Sequence, residues 1–148
     1  MGRMDTITTP RTVLVTGGNR GIGFAIAQTF IERGDRVAVT ARSGEGPEGS
    51  LTVRADVTDS DSLDTAFTAI EAAIGPVEIL VANAGITKDS LLMRMSEDDF
   101  TTVIDTNLSG AFRVVKRASK NMLKARFGRI ILVSSVVGLL GSAGQVNY

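Results

Sequence analysis

The chain of 148 residues contains no cysteine, no histidine and no tryptophan. Without cysteine, the sequence excludes a disulfide framework, a thiol nucleophile and a thiolate metal site. Without histidine, it excludes a Ser-His-Asp triad and an imidazole-bound zinc ion, and we expect no metal site. Any proton transfer must therefore use tyrosine, lysine, a carboxylate or water.

An excess of charge of one sign is also lacking, because 16 basic and 16 acidic residues cancel. A net charge of zero gives no support to general nucleic-acid binding. The distribution is uneven: residues 51–100 hold 3 basic and 10 acidic side chains, whereas residues 101–148 hold 7 basic and 1 acidic. The basic C-terminal part is a candidate docking surface for an acidic partner.

Long apolar runs are absent too, and a spanning helix needs about 20 such residues, so we expect no membrane span. The chain does not open with a secretion signal, which favours a cytoplasmic protein. Its start, residues 1–6, matches the loose pattern for N-myristoylation. The alternative interpretation is a polar end that precedes the first strand.

Short apolar strand patterns alternate with amphipathic helical patterns. Strands are predicted at residues 12–16, 36–40, 51–55, 77–82 and 129–134, and helices at about 22–33, 60–74 and 97–124. This alternation predicts an α/β fold with a doubly wound parallel sheet, covered by helices on both faces. We expect the strand order 3-2-1-4-5 and one Rossmann-like domain over residues 1–148.

The predicted domain is incomplete at its C-terminal end. The fifth strand leads into an uncharged glycine-rich loop, and the sequence stops at Tyr148, its only tyrosine. A full doubly wound sheet needs further strands beyond the fifth. We therefore interpret the chain as truncated.

A glycine-rich turn joins the first strand to the first helix. Its sequence is Thr16-Gly17-Gly18-Asn19-Arg20-Gly21-Ile22-Gly23. Glycines at this junction allow tight backbone turns and leave the amide groups of the helix N-terminus free to bind phosphate. A glycine cluster alone indicates only a turn, but its position between strand and helix favours nucleotide binding.

The spacing T-G-x-x-x-G-x-G resembles that of the short-chain dehydrogenase/reductase family. Four further motifs extend the resemblance over nearly the whole chain after residue 11. They are Asp56-Val57, Asn83-Ala84-Gly85, Asn107-Leu108-Ser109-Gly110, and Ser135 followed thirteen positions later by Tyr148. The resemblance implies that a nicotinamide cofactor contacts Gly17, Asn19, Arg20, Gly21, Ile22, Gly23, Arg42, Asp56, Val57, Asn83, Ala84 and Gly85.

The same resemblance implies three catalytic residues. Tyr148 would protonate the carbonyl oxygen of the substrate, and Ser135 would donate a hydrogen bond to it. Ser134 is the alternative, but the spacing selects Ser135. Asn107 would bend its helix and hold a proton-relay water. The family motif Y-x-x-x-K places a lysine beyond Tyr148, so we expect the 148-residue chain alone to be inactive.

Within the family, the chain is most similar to the actinobacterial (mycobacterial) 3-oxoacyl-acyl carrier protein reductases. Three runs carry the likeness to these reductases: Leu14-Val15-Thr16-Gly17-Gly18-Asn19-Arg20-Gly21-Ile22-Gly23, Leu92-Met93-Arg94-Met95 and Gly144-Gln145-Val146-Asn147-Tyr148. The first of them resembles the actinobacterial form in particular. It implies reduction of a 3-oxoacyl thioester in fatty-acid biosynthesis, with acyl carrier protein as partner, and a homotetramer in the full-length form. Other reductases of the family, such as polyketide ketoreductases, remain alternatives, as does a non-catalytic nucleotide-binding module.

Two finer predictions concern basic residues. The second strand is followed by Arg42 rather than a carboxylate, and Arg20 lies in the glycine-rich turn, which favours the 2′-phosphate of NADPH over NADH. A basic stripe predicted on one helix face could dock acyl carrier protein, and the resemblance singles out Arg126 just before the fifth strand. The stripe comprises Arg113, Lys116, Arg117, Lys120 and Lys124. The alternative, for Arg20 and Arg42 as for the stripe, is that these basic side chains only form a solvated surface and bind no ligand or partner.

Overall fold

The computed structural model describes residues 9–148, so the myristoylation pattern lies outside the described residues. Five parallel strands form one sheet in the order β3-β2-β1-β4-β5. The strands are β1 (Thr12–Thr16), β2 (Arg36–Ala41), β3 (Leu51–Arg54), β4 (Ile79–Ala82) and β5 (Arg129–Leu132). The predicted fold class and strand order are confirmed. The fifth strand ends two residues earlier than predicted, at Leu132.

A loop joins β2 to β3, and the other strands are each followed by helices. They are α1 (Gly21–Glu32), α2 (Ser60–Ile74), α3 (Glu97–Ile104), α4 (Gly110–Ala125) and the short α5 (Val137–Leu140). Side chains cap two of them: Asp59 accepts from the backbone N–H groups of Asp61 and Ser62 at the start of α2, and Ser96 accepts from that of Asp99 in α3. Among residues 9–148, no helix combines the length and apolar character needed to cross a bilayer.

Both faces of the sheet are covered, as predicted. Successive side chains of a strand point to opposite faces, and in β1 Leu14 lies in a core with α2 and α4. Its neighbours Val13 and Val15 lie in a second core with α1. All three side chains are fully buried, which fixes β1 at the centre of the molecule.

The sequence pattern places Ile22, Ala25, Ile26, Thr29 and Phe30 on the apolar face of α1, and this prediction is wrong in part. Ile22 is 67% exposed, and Ala25 and Thr29 are exposed as well. The helix instead buries Gly23 and Ala27 against the sheet. The spacing of apolar residues along a helix is compatible with either of two adjacent stripes facing the sheet. In α1 the stripe with the smaller residues, Gly23 and Ala27, faces inward.

The long helix predicted for residues 97–124 is interrupted. A π-helical turn, Asp105–Ser109, joins α3 to α4 and accommodates one extra residue. The extra residue rotates the following helix, so α4 buries Val114, Ala118 and Met122. The apolar spacing of the long helix also places Phe112 and Leu123 on its buried side, and this prediction is wrong, because they are 64% and 78% exposed.

At the amino ends of the strands, Glu78 binds groups from two other strands. Its carboxylate accepts from the backbone N–H of Thr12 at 2.9 Å and from the guanidinium of Arg11 at 2.7 Å. Burial raises the pKa of Glu78, but these hydrogen bonds and the charges of Arg11 and Arg36 outweigh it and hold the pKa below its ordinary value of 4.5.

We therefore expect Glu78→Gln to lower the free energy of unfolding at neutral pH by about 1–2 kcal/mol. A carboxyl with a depressed pKa in the folded state stabilises the protein above its unfolded-state pKa and loses that contribution as pH falls through the folded value. The difference between wild type and variant in urea unfolding should thus shrink below the ordinary pKa of 4.5. Glu32→Gln, on exposed α1 surface, is the control, and a pH-independent difference would contradict this assignment.

Candidate functional site

The glycine-rich turn lies at the carboxyl ends of β1 and β2. Gly17 has φ +67° and Gly21 has φ +56°, a region that favours glycine. The backbone N–H of Gly17 donates to the carbonyl of Thr40 in β2 at 2.8 Å. A Cβ on Gly23 would collide with the carbonyl oxygen of Gly17 and the amide nitrogen of Asn83. The inner side of the turn is therefore tightly packed and leaves no room for a side chain at Gly17 or Gly23.

The N-terminus of α1 suits an anion. Arg20 is its N-cap residue and provides no side-chain cap, and the first turn holds no acidic residue. A Cβ on Gly21 would meet no atom within 4 Å, so the turn is open on its outer side. Uncapped amide groups and the helix dipole favour a phosphate at such an end. The residues present thus fit the pyrophosphate of a dinucleotide.

Asn83 joins the turn to the segment after β4. Its side-chain amide donates to the carbonyl oxygens of Thr16 at 3.1 Å and Gly17 at 3.2 Å. The buried hydroxyl of Thr16 accepts in return from the backbone N–H groups of Asn83 at 3.0 Å and Ala84 at 3.1 Å. The structure therefore brings Gly17, Gly23, Asn83 and Ala84 together as one unit.

The second group of predicted cofactor residues surrounds the ends of β2 and β3. Asn19 donates to the carbonyl of Ser43 at 2.9 Å and thus ties the glycine-rich turn to the loop after β2. A shallow depression of about 370 Å³ lies beside this loop. It is lined by Arg42, Arg54, Ala55, Asp56 and Ser62. Within residues 9–148, no carboxylate lies within ion-pair distance of either arginine.

Asp56 is ionised and held in place by its own turn. Its carboxylate accepts from the backbone N–H of Thr58 at 2.9 Å and from the hydroxyl of Thr58 at 2.7 Å. These two hydrogen bonds hold the pKa of Asp56 below its usual range against the effect of burial, and the charges of Arg42 and Arg113 act in the same direction. The depression thus combines a fixed carboxylate with two unpaired cations.

Val57, Gly85 and Ile22 are placed differently. Val57 is 8% exposed, and its side chain packs against Gly110. Gly85 is exposed beside Asn107, and Ile22 projects from the first turn of α1. A contact from Ile22 to a ligand would therefore be apolar.

Asn107 lies in the π-helical turn. Its oxygen accepts from the backbone N–H of Ile86 at 2.8 Å, and its amide donates to the carbonyl of Ile86 at 2.9 Å. Both sides of the amide are thus bound to one backbone residue, which follows Gly85. Unusual π turns are frequent at functional sites, and this one fixes the segment after β4.

Ser135 and Tyr148 both follow β5 along the chain, and Ser135 does not line the cavity that Tyr148 borders. The hydroxyl oxygen of Ser135 accepts from the backbone N–H of Val137 at 3.2 Å. Tyr148 is 44% exposed and borders a cavity of about 380 Å³ beside Ser90, Leu92 and Val137. No hydrogen bond joins Ser135 to Tyr148 within the part of the chain that the structure describes.

The predicted basic stripe is not a single free surface. Arg117 is bound to Asp64 at 2.7 Å and Glu71 at 3.1 Å, and Arg113 is bound to Asp105 at 2.6 Å. Burial lowers the pKa of Arg117, but these carboxylates raise it overall. Arg117 therefore keeps its positive charge, and Asp64 and Glu71 balance that charge within the molecule. Of the stripe and Arg126, the side chains that are exposed are those of Lys116, Lys120, Lys124 and Arg126. Arg126 ends α4 in a left-handed conformation, with φ +53°.

Sequence reasoning missed three residues that shape this site: Thr16, Arg54 and Asn147. Thr16 precedes the first glycine, and a buried hydroxyl at a strand end could have signalled its role. Arg54 ends β3 opposite Ala41, next to Arg42, which only the strand register reveals. Asn147 gives no sequence signal apart from its place before Tyr148.

The comparisons with known proteins agree with this geometry. Residues 11–148 match the family described as short chain dehydrogenase. The chain is 56% identical over 138 residues to the 3-oxoacyl-[acyl-carrier-protein] reductase MabA of Mycobacterium avium, covering 93% of this chain and 54% of that protein. It is 46% identical over 146 residues to the 3-oxoacyl-[acyl-carrier-protein] reductase FabG of Salmonella typhimurium, covering 93% of this chain and 60% of that protein.

The chain thus spans little more than half the length of these curated relatives. The family match covers nearly all of the residues that the structure describes, including the glycine-rich turn, Asn83, Asn107, Ser135 and Tyr148. On this evidence the chain belongs to the short-chain dehydrogenase family.

Proposed function

We propose that the protein, at the length of its relatives, is an NADPH-dependent reductase of 3-oxoacyl thioesters carried on acyl carrier protein, acting in fatty-acid biosynthesis. The observation that carries this proposal is the unit of Gly17, Gly23 and Asn83 at an uncapped helix N-terminus. The substrate class is taken from the printed names of the two relatives. The 148-residue chain alone is proposed to be inactive.

The bound cofactor would supply a hydride to the carbonyl carbon of the substrate. The glycine-rich turn would hold its pyrophosphate, and Arg20, Arg42 and Asp56 would surround its adenosine end. Asn83 keeps the turn rigid through its bonds to Thr16 and Gly17. These residues bind and orient, and take no part in proton transfer.

Ser135 and Tyr148 would serve the carbonyl oxygen. The oxygen of the Ser135 hydroxyl already accepts from Val137, so its own hydrogen is free to donate to a substrate. Tyr148 borders an open cavity and would deliver the proton. Asn107, bound on both sides of its amide to Ile86, would fix the segment after β4.

Turnover tests the proposal. The purified protein at its relatives' length should consume NADPH with acetoacetyl thioesters and not with simple aldehydes or ketones. Equal turnover of an unrelated ketone would favour another reductase of the same family. Tight NADPH binding with no turnover of any carbonyl compound would favour a non-catalytic nucleotide-binding module.

Cofactor choice gives the first of two predictions that depend on the proposed function. We expect Arg42→Asp to weaken NADPH binding by about 10- to 100-fold, because a charge-assisted bond to the 2′-phosphate contributes roughly 1.5–3 kcal/mol. NADH binding should improve, since the new carboxylate can accept from the ribose 2′-hydroxyl. Isothermal titration with both cofactors measures this, with Lys120→Glu on α4 as the control for charge. Equal dissociation constants for the two cofactors in the wild type would refute the 2′-phosphate assignment.

Carrier-protein docking gives the second. We propose that Arg126, with Lys116, Lys120 and Lys124, attracts the acidic carrier. Arg126→Glu should raise the apparent KM for the protein-bound substrate about 10-fold, the effect expected for a charge pair at an interface rim. The KM for the coenzyme A thioester should not change, and added salt should weaken only the protein-bound reaction. Equal losses on both substrates would indicate a folding defect instead.

We also propose that the full-length protein is a homotetramer. Leu108, Phe112 and Leu123 are each more than 60% exposed on the π-helical turn and α4. Such an exposed apolar patch supports self-association through this helix. Sedimentation analysis of the protein at its relatives' length tests the assembly.

A further inference from the structure

Asn147, the residue before Tyr148, is buried although it lies in an irregular loop. Its residue exposure is 4%. Its side-chain amide donates to the carbonyl of Lys88 at 3.0 Å and to the carbonyl of Asp99 at 3.3 Å. Lys88 lies after β4, and Asp99 lies in the first turn of α3. One side chain therefore ties the loop after β5 to two other parts of the fold.

The other half of this amide is unpaired. The side-chain oxygen of Asn147 is buried without a hydrogen-bond partner among the described residues. An unpaired buried acceptor destabilises the folded state, because burial removes its hydrogen bonds to water and no protein donor replaces them. An apolar residue would fill this place without that penalty. Packing alone therefore does not explain an asparagine here, whereas the two bonds of its nitrogen do.

Two further bonds join the same pair of segments. The backbone N–H of Ser90 donates to the carbonyl of Gly144 at 2.8 Å. The side-chain amide of Gln145 donates to the carboxylate of Asp89 at 3.2 Å. Residues 88–90, which we call the anchor segment, thus hold three positions of the loop that ends at Tyr148. The backbone N–H of Tyr148 itself donates to the carbonyl of Gln145 at 3.1 Å.

The anchor segment is also fixed from its other end. Asn107, in the π-helical turn, binds both the N–H and the carbonyl of Ile86, two residues before Lys88. Two asparagine side chains thus bind one short stretch of backbone, Asn107 at Ile86 and Asn147 at Lys88. This stretch connects Asn107 mechanically to Tyr148.

We propose that Asn147 is a positioning residue, which holds Tyr148 at a fixed place relative to Asn107 through the anchor segment. The inference rests on the proposed function only for the role of the Tyr148 hydroxyl. The positional claim concerns the chain as it is. It predicts that the two amide donors of Asn147, rather than its volume, restrict the motion of the Tyr148 ring.

Tyrosine fluorescence measures this motion directly, because Tyr148 is the only tyrosine and the chain has no tryptophan. In time-resolved anisotropy, a fixed ring depolarises mainly by tumbling of the whole protein, and a released ring adds a fast component. We expect Asn147→Ala and Asn147→Leu each to roughly double the amplitude of the fast component. The leucine variant retains the branched shape and the number of side-chain heavy atoms and removes the unpaired oxygen, so it should remain folded.

Asn121→Ala is the matched control. Its amide donates to one acceptor, the carboxylate of Glu71 at 2.7 Å, and this bond joins α4 to α2 rather than holding the loop that ends at Tyr148. It should shift the urea midpoint without changing the fast component. A changed midpoint with unchanged anisotropy in both Asn147 variants would overturn the proposal. So would loss of far-ultraviolet circular dichroism in both, because Asn147 would then be required for folding itself.

These outcomes are separable from the proposed function. A mobile ring in the Asn147 variants supports positioning whether or not any reductase activity is found. If Tyr148→Phe left turnover of the longer protein unchanged, the catalytic role of Tyr148 would fail while its positioning by Asn147 stood.

Discussion

Gly23→Ala is expected to weaken NADPH binding by about a hundredfold or more, which corresponds to about 2.7 kcal/mol of binding free energy. The added Cβ would meet the carbonyl oxygen of Gly17, a backbone atom that has no rotamer to change. It would also displace the amide of Asn83, which closes the turn on Thr16 and Gly17. The glycine-rich turn would then shift away from the N-terminus of α1, where the phosphate groups are proposed to bind.

Isothermal titration with NADPH measures this effect, and circular dichroism shows whether the variant is folded. Gly138→Ala is the control, because a Cβ at Gly138 would meet no atom within 4 Å. Its affinity for NADPH should equal that of the wild type. A folded Gly23→Ala variant that binds NADPH as tightly as the wild type would refute the turn as the phosphate site.

Tyr148→Phe, in a protein of the relatives' length, is expected to lower kcat by about a hundred- to ten-thousandfold, the usual contribution of a general acid. Phenylalanine keeps the ring, so NADPH binding should not change. The loss would be confined to proton delivery at the carbonyl oxygen.

Stopped-flow measurement of NADPH consumption separates the chemical step from binding. Ser142→Ala serves as the control, because it removes another hydroxyl from the lining of the cavity that Tyr148 borders. It should retain near wild-type turnover. A Tyr148→Phe variant that turns over as fast as this control would show that the proton comes from another group.

Much of the fold could be predicted from apolar runs. Strands such as β1 and β2 are short, continuously apolar and bounded by glycine or loop residues, so local sequence is enough to locate them. The buried side of each helix was harder to predict. In α1 the inward face is marked by Gly23 and Ala27, which have little hydrophobic signal. In the long helix, the π-helical turn changes the phase between Val103 and Val114.

The candidate site was predicted where motifs are contiguous and missed where contacts are distant. The glycine-rich turn and Asn83 carry their own local signal. The bonds from Asn147 to Lys88 and Asp99 join residues 59 and 48 positions apart. The neighbourhood of Arg42 and Arg54 depends on the register of β2 and β3. Only the assembled sheet brings such residues together.

Likewise, the basic stripe on α4 satisfied the helical spacing rule, but spacing does not show which cations already have partners. Asp64 and Glu71 of α2 bind Arg117, and Asp105 binds Arg113. Packing of α2 against α4 therefore pairs Arg117, and the π-helical turn pairs Arg113, so neither arginine is free to attract an acidic carrier.

The most direct test of the reductase assignment follows the hydrogen itself. NADPH that carries deuterium at the transferable position of its nicotinamide ring is incubated with acetoacetyl-acyl carrier protein and the protein at its relatives' length. The product is then examined by mass spectrometry. The proposed reaction predicts a 3-hydroxybutyryl thioester with one deuterium on carbon 3. An unlabelled product, or no product from a folded protein that binds NADPH, would contradict it.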